Sequence, residues 1–190
     1  HELLLSVLAS SGKKHPDVAG AALGALAHLA STGVLNREYA RDKLKAVPVV
    51  VRALQRHGAN AFVAELGTKA LGNLALGDTE EVFASGGATV LLEVLKMHGA
   101  AAAATTGANG GAANEGVVEA VCGAVANLAE TEFNQERLTT LGFDLKACAA
   151  EVKKTRERAA SIRAARAEEE SRKAKAKAEA KVFRLDGMEV

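Results

Sequence analysis

Histidine and cysteine are the side chains of this 190-residue chain best suited to metal or nucleophilic chemistry. His1, His15, His28, His57 and His98 stand apart, none at ligand spacing from another His or from a Cys. Cys122 and Cys148 are too few for a disulfide framework or a paired-cysteine zinc site. Cys122 falls in an apolar stretch with no evident base and reads as a small packing residue, because a catalytic thiol needs a base to activate it. No GxSxG, HExxH, Walker or dinucleotide fingerprint occurs. We therefore expect no catalytic residue, no metal ligand and no cofactor, and read the chain as a non-enzyme.

Binding chemistry is better represented. Three segments align without gaps: VAGAALGALAHLA from Val18, VAELGTKALGNLA from Val63 and VVEAVCGAVANLA from Val117. Each starts on Val, carries Ala at Ala25, Ala70 or Ala124, and closes on Leu-Ala. The polar residue before that Leu is His28, Asn73 or Asn127. On a helix, the residues four and eight earlier share its face. The resulting stripes are Gly20, Gly24, His28; Glu65, Lys69, Asn73; and Glu119, Gly123, Asn127. The Val, Ala and Leu positions form the opposite, buried face. An amide suits contact with a polypeptide backbone because it both donates and accepts. His28, Glu65, Lys69, Asn73, Glu119 and Asn127 are the candidate partner-binding residues. A structural role for the two asparagines, tying a helix to its neighbour, is the alternative. Gly24 and Gly123 read as tight packing sites.

The elements that would position this stripe also repeat. A medium apolar segment recurs as LLLSVL from Leu3, VVVRAL from Val49 and VLLEVL from Val90. A shorter one recurs as NREYARDKL from Asn36, DTEEVFA from Asp78 and NQERLTTLG from Asn134. Each period holds a short, a medium and a long helix. Gly12, Gly58, Gly77, Gly99 and Gly142 read as helix stops, and Pro16 and Pro48 as helix starts. The third copy is stretched: Asn127 follows Asn73 by 54 residues, whereas Asn73 follows His28 by 45. The low-complexity run from Gly99 to Asn114 explains the excess as a floppy loop inserted at a surface connection.

Three helices per period, closing on ALGNLA or AVANLA, resemble armadillo repeats. The resemblance covers roughly residues 1–152. It implies an all-α, right-handed α–α superhelix, an armadillo-like solenoid. The divisions would be a partial repeat over 1–33, repeats over 34–78 and 79–132 (the latter with the 99–114 insertion), a partial terminal repeat over 133–152 and a charged tail over 153–190. In armadillo proteins the third helices line a concave groove whose asparagines grip an extended peptide. The resemblance places Asn73 and Asn127 on that ladder, with His28 replacing the first Asn. The import-receptor branch has Trp four residues before the Asn. Gly24, Lys69 and Gly123 stand there instead, which argues against binding of a classical nuclear-localisation signal.

Composition fits this class. Hydrophobic residues make up 48% and aromatics 3%, too few aromatics for an all-β sandwich. No apolar run is long enough to span a membrane. Residues 1–150 carry a net charge of −3 and residues 151–190 of +4. The tail alternates Lys, Arg, Glu and Ala without an a/d stripe, so it reads as a solvated helix, or as disorder that becomes helical on docking. Glu168 and Glu169 are spaced to pair with Arg172 and Lys173. Opening at His1 inside an apolar pattern suggests an excerpt whose array continues upstream and ends near Val152. Leu3, Leu4, Leu5 and Leu8 would then lack a neighbour.

The expected function is a protein–protein interaction scaffold that binds an extended protein or peptide segment in the groove. A cargo-binding transport adapter is the second reading. Nucleic-acid binding through the basic tail is the third; six glutamates between Glu151 and Glu179, and no aromatic before Phe183, argue against it. Nothing points to a small-molecule ligand. A cytoplasmic or nuclear location is expected.

Overall fold

The fold was obtained as a computed structural model. It describes the backbone of residues 1–104 and 110–186, and the side chains of residues 1–10, 12–99 and 115–174. The described residues are all-helical, with no strand. Helix α1 spans Glu2–Ala9 and is followed by a 3-10 turn, Ser11–Lys13. Helix α2 spans Pro16–Thr32, and α3, Val34–Glu38, runs into a π turn at Tyr39–Lys43. Next come α4 (Ala46–His57), α5 (Ala61–Ala75), α6 (Glu80–Ala84), α7 (Gly87–Ala104), α8 (Gly110–Leu128), α9 (Glu132–Leu141) and α10 (Leu145–Asp186). The short, medium and long segments read from the sequence all fall on helices in that order.

Local chemistry sets several boundaries. Pro16 opens α2, where its missing N–H has no intrahelical partner to lose. The Asn60 side chain accepts from the Phe62 and Val63 amides and caps α5, and Thr131 caps α9 through the Asn134 amide. Gly142 ends α9 at φ +106°, a conformation that costs other residues a Cβ clash. Gly99 does not stop a helix: α7 continues to Ala104 and α8 starts at Gly110. Residues 99–104 and 110–114, expected in a floppy loop, are therefore helical. Residues 105–109 lie outside the described residues.

The chain divides into two compact units, residues 1–152 and 153–190. In the first, α2 packs along α5, α5 along α8, α4 against α5 and α7 against α8. Leu23, Leu26, Leu54, Leu71, Leu74, Leu91 and Leu128 are fully buried among these helices. Each contributes roughly 1.5–3 kcal/mol through lost contact with water. In the second, residues 153–186 are helical and the described side chains are mostly exposed. Glu169 pairs with Lys173 as their spacing predicts. Among the described residues, no helix is long and apolar enough to cross a membrane.

The first sequence copy departs from the expected burial. Val63 and Val117 are fully covered, but Val18 is 37% exposed. Ala70 and Ala124 are buried, but Ala25 is exposed. The assignment of all Val and Ala positions to a buried face therefore fails on α2. Leu3 is 75% exposed as expected, yet Leu5 and Leu8 are buried, because α1 packs on α2 and α4.

Arg41 is the buried cation of the first unit. Its guanidinium donates to the Asp42 carboxylate at 2.7 Å and to the Leu76 carbonyl at 3.3 Å, just beyond α5. The hydrogen bond from Arg41 holds the Asp42 carboxyl below its ordinary value. A depressed carboxyl adds stability above the usual carboxylate range and loses it as pH falls through the folded value. Acid should therefore destabilise the wild-type chain more than Asp42→Asn, as read from urea midpoints at neutral and acidic pH. Equal acid sensitivity would refute this pairing as a source of stability.

Candidate functional site

The candidate residues lie on the three long helices: His28 on α2, Glu65, Lys69 and Asn73 on α5, Glu119 and Asn127 on α8. These helices are neighbours in that order, so the three stripes come side by side. His28 and Lys69 are exposed, and Glu65, Asn73, Glu119 and Asn127 are half-buried. Lys69 pairs with Glu65 one turn away. Glu65 also reaches α8: a Cβ on Gly116 would lie 3.0 Å from its carboxylate.

The asparagines form a ladder. Asn73 Nδ2 donates to the Ala27 carbonyl at 2.9 Å, and Asn127 Nδ2 donates to the Gly72 carbonyl at 3.0 Å. Ala27 and Gly72 each directly precede the ladder residue of the preceding helix, so one rule generates both bonds. The Gly72 carbonyl lies in the last turn of α5, where the helix leaves its acceptors unfilled. The structural alternative for Asn73 and Asn127 is thus observed, and removing them cannot leave stability untouched.

A second ladder was not read from the sequence. His57 Nε2 stands 2.8 Å from the Gly12 carbonyl, and His98 Nε2 stands 2.7 Å from the Gly58 carbonyl. A carbonyl only accepts, so in each case the ring nitrogen carries the proton. His98 is buried and His57 half-buried. The signal was present: each His stands eight residues after the first Val of its medium segment, Val49 or Val90. Spacing marks the two histidines as equivalent, but the carbonyl that each ring meets lies 45 or 40 residues away in the chain.

The glycines of the stripe divide. A Cβ on Gly24 would lie 3.1 Å from Leu66, a tight packing site as expected. A Cβ on Gly123 would meet nothing within 4 Å, so Gly123 is not one. At Gly72 α5 and α8 come close together, with a Cβ falling 2.9 Å from the Cα of Ala124.

Two further clusters bear on chemistry. Cys122 on α8 and Cys148 on α10 are both buried and hydrogen-bonded to one another. That bond, reinforced by burial, pushes the Cys122 thiol up, which removes thiolate character at neutral pH. The second cluster borders a cleft of about 420 Å³ lined by Phe83, Thr89, Phe133, Arg137 and Leu141. The Arg137 guanidinium lies 3.7 Å above the Phe83 ring and 2.7 Å from Glu80. Its charge is already answered by a carboxylate and an aromatic face, so it clamps α9 to α6.

No family model, curated protein or solved structure matches this chain.

Proposed function

We propose that the chain is an interaction scaffold of armadillo-like solenoid type that binds an extended polypeptide along the stripe of α2, α5 and α8. The observation that carries this reading is the asparagine ladder. Each amide spends one N–H on a neighbouring helix, and each residue remains half-exposed. A primary amide has a second N–H and a carbonyl oxygen. Both asparagines thus keep capacity to donate to and accept from a passing main chain. Lys69 and His28 supply exposed polar side chains beside them, and Glu65 and Glu119 supply carboxylates for basic side chains of the ligand.

The test is selection of extended peptides from a displayed random library on the immobilised chain, followed by affinity measurements with stripe variants. Lys69→Ala removes an exposed side chain, so it should weaken binding by roughly 2- to 10-fold and leave the melting temperature unchanged. Asn73→Ala with Asn127→Ala should weaken binding further and also cost about 1–3 kcal/mol of stability from two lost hydrogen bonds. If selected peptides bind the Lys69 and asparagine variants as tightly as the wild type, the stripe is not the binding surface.

A further inference from the structure

One hydroxyl of the charged tail stands in a setting that no other shares. Ser161 follows Arg158 by three residues and Arg156 by five, and Ile162 comes directly after it. No other serine or threonine of the chain has Lys or Arg at both of those positions. Thr140 has Arg137 three residues before it but Gln135 five before, and the Arg137 guanidinium is engaged by Glu80 and the Phe83 ring. Six of the seven charged residues from Lys153 to Arg166 are basic.

The structure leaves this hydroxyl within reach of an enzyme. Arg156, Arg158, Ser161 and Ile162 are all exposed on α10. From Arg156 to Ala174, every side chain but that of Ala159 is exposed. Helix in this stretch therefore draws on propensity and on i,i+4 pairs such as Lys153–Glu157 and Glu169–Lys173, with little buried apolar area behind them. A helix held in that way opens locally at low cost. On the helix, Arg156 and Arg158 point about 200° apart. In an extended chain, alternate residues share a face. Arg156, Arg158 and Ile162 then line one side, two guanidinium forks followed by an apolar group, and Glu157 falls on the other. Carboxylates receive such forks in bidentate fashion.

We propose that Ser161 is a phosphorylation site, taken in extended form by a protein kinase whose peptide groove carries carboxylates for Arg156 and Arg158 and an apolar pocket for Ile162. Ser161 Oγ attacks the γ-phosphorus of ATP, and the bond from that phosphorus to the β–γ bridging oxygen breaks. ADP leaves, and the hydroxyl proton passes to the catalytic carboxylate of the kinase. The new group carries about −1.5 to −2 charge at neutral pH. It enters a stretch, Lys153 to Arg166, whose six basic residues and one Glu sum to +5. The modification thus acts as a charge switch on the tail, independent of any peptide bound along the stripe.

The test incubates the full chain with Mg-ATP and a purified kinase selective for arginine three and five residues before serine. Intact mass should rise by one phosphoryl group per chain, and fragment masses should place it on Ser161. Ser161→Ala should abolish that label. Arg158→Ala and Arg156→Ala should each lower the kcat/KM of phosphorylation by roughly 10- to 100-fold, the loss expected for one charged hydrogen-bonded pair. Arg158→Lys keeps the charge but not the fork, so it should fall between Arg158→Ala and the wild type. All of these side chains are exposed, so circular dichroism and melts of residues 1–190 should be unchanged in every variant. A kinase selective for acidic residues after the serine should leave Ser161 unlabelled. A full chain that takes no label, a label that maps elsewhere, or a rate indifferent to both arginines overturns the assignment.

Discussion

Gly72→Leu should be among the most damaging single changes in the chain, lowering stability by about 3 kcal/mol or more. The reason is where the new atoms would go. A Cβ on Gly72 already lies 2.9 Å from both the Cα and the Cβ of Ala124. Main chain cannot swing aside as a flexible side chain can, so α8 must retreat from α5. That retreat also pulls Asn127 from the Gly72 carbonyl. For a unit of this size, the loss corresponds to a melting temperature roughly 6–12 °C lower. Gly72→Ala should show the same defect in milder form. Gly123→Ala, on α8 beside the Ala124 that Gly72 meets, is the control. With nothing within 4 Å of its Cβ, it should instead gain about 0.5–1 kcal/mol from improved helix propensity. Thermal or urea melts of the three variants decide the matter. If Gly72→Leu melts with the wild type, α5 and α8 do not meet at this point.

His98→Ala is the second large effect expected, at about 2–4 kcal/mol. His98 is 5% exposed, and its Nε2 lies 2.7 Å from the Gly58 carbonyl. Truncation opens a void between α7 and the end of α4. It also leaves the carbonyl of a buried glycine without its donor. The cost of an unsatisfied buried acceptor adds to the cost of the cavity. His57→Ala removes the matching bond to the Gly12 carbonyl. His57 is only half-buried, so water replaces the ring and the loss should be nearer 1 kcal/mol. Glutamine at position 98 keeps an N–H donor at a comparable reach and should recover part of the stability, which alanine and leucine cannot. Denaturant midpoints of the alanine, leucine and glutamine variants separate donor from volume. Equal losses for leucine and glutamine would show that shape alone matters at this position.

Helical class and the positions of the long helices are legible in the residues alone. The three aligned long segments became α2, α5 and α8, because apolar residues at helical spacing must bury one face and caps such as Asn60 and Thr131 fix where helices begin. The alignment also places Asn73 and Asn127 at equivalent sites. Their acceptors are beyond it. Ala27 stands 46 residues from Asn73, and Gly72 stands 55 from Asn127, so each bond depends on the register between two helices. Periodicity says which face a side chain is on, not which carbonyl lies opposite. Within the run from Gly99 to Asn114 the glycines suggest a floppy loop, but the many alanines favour helix, and α7 and α8 both extend into it. Burial on α2 departs from the pattern for a non-local reason. Val18 and Ala25 carry the same pattern as their buried equivalents, but burial belongs to a pair of surfaces. In the fold, none of the described helices covers these two residues, and contact with water depends on the neighbour that excludes it.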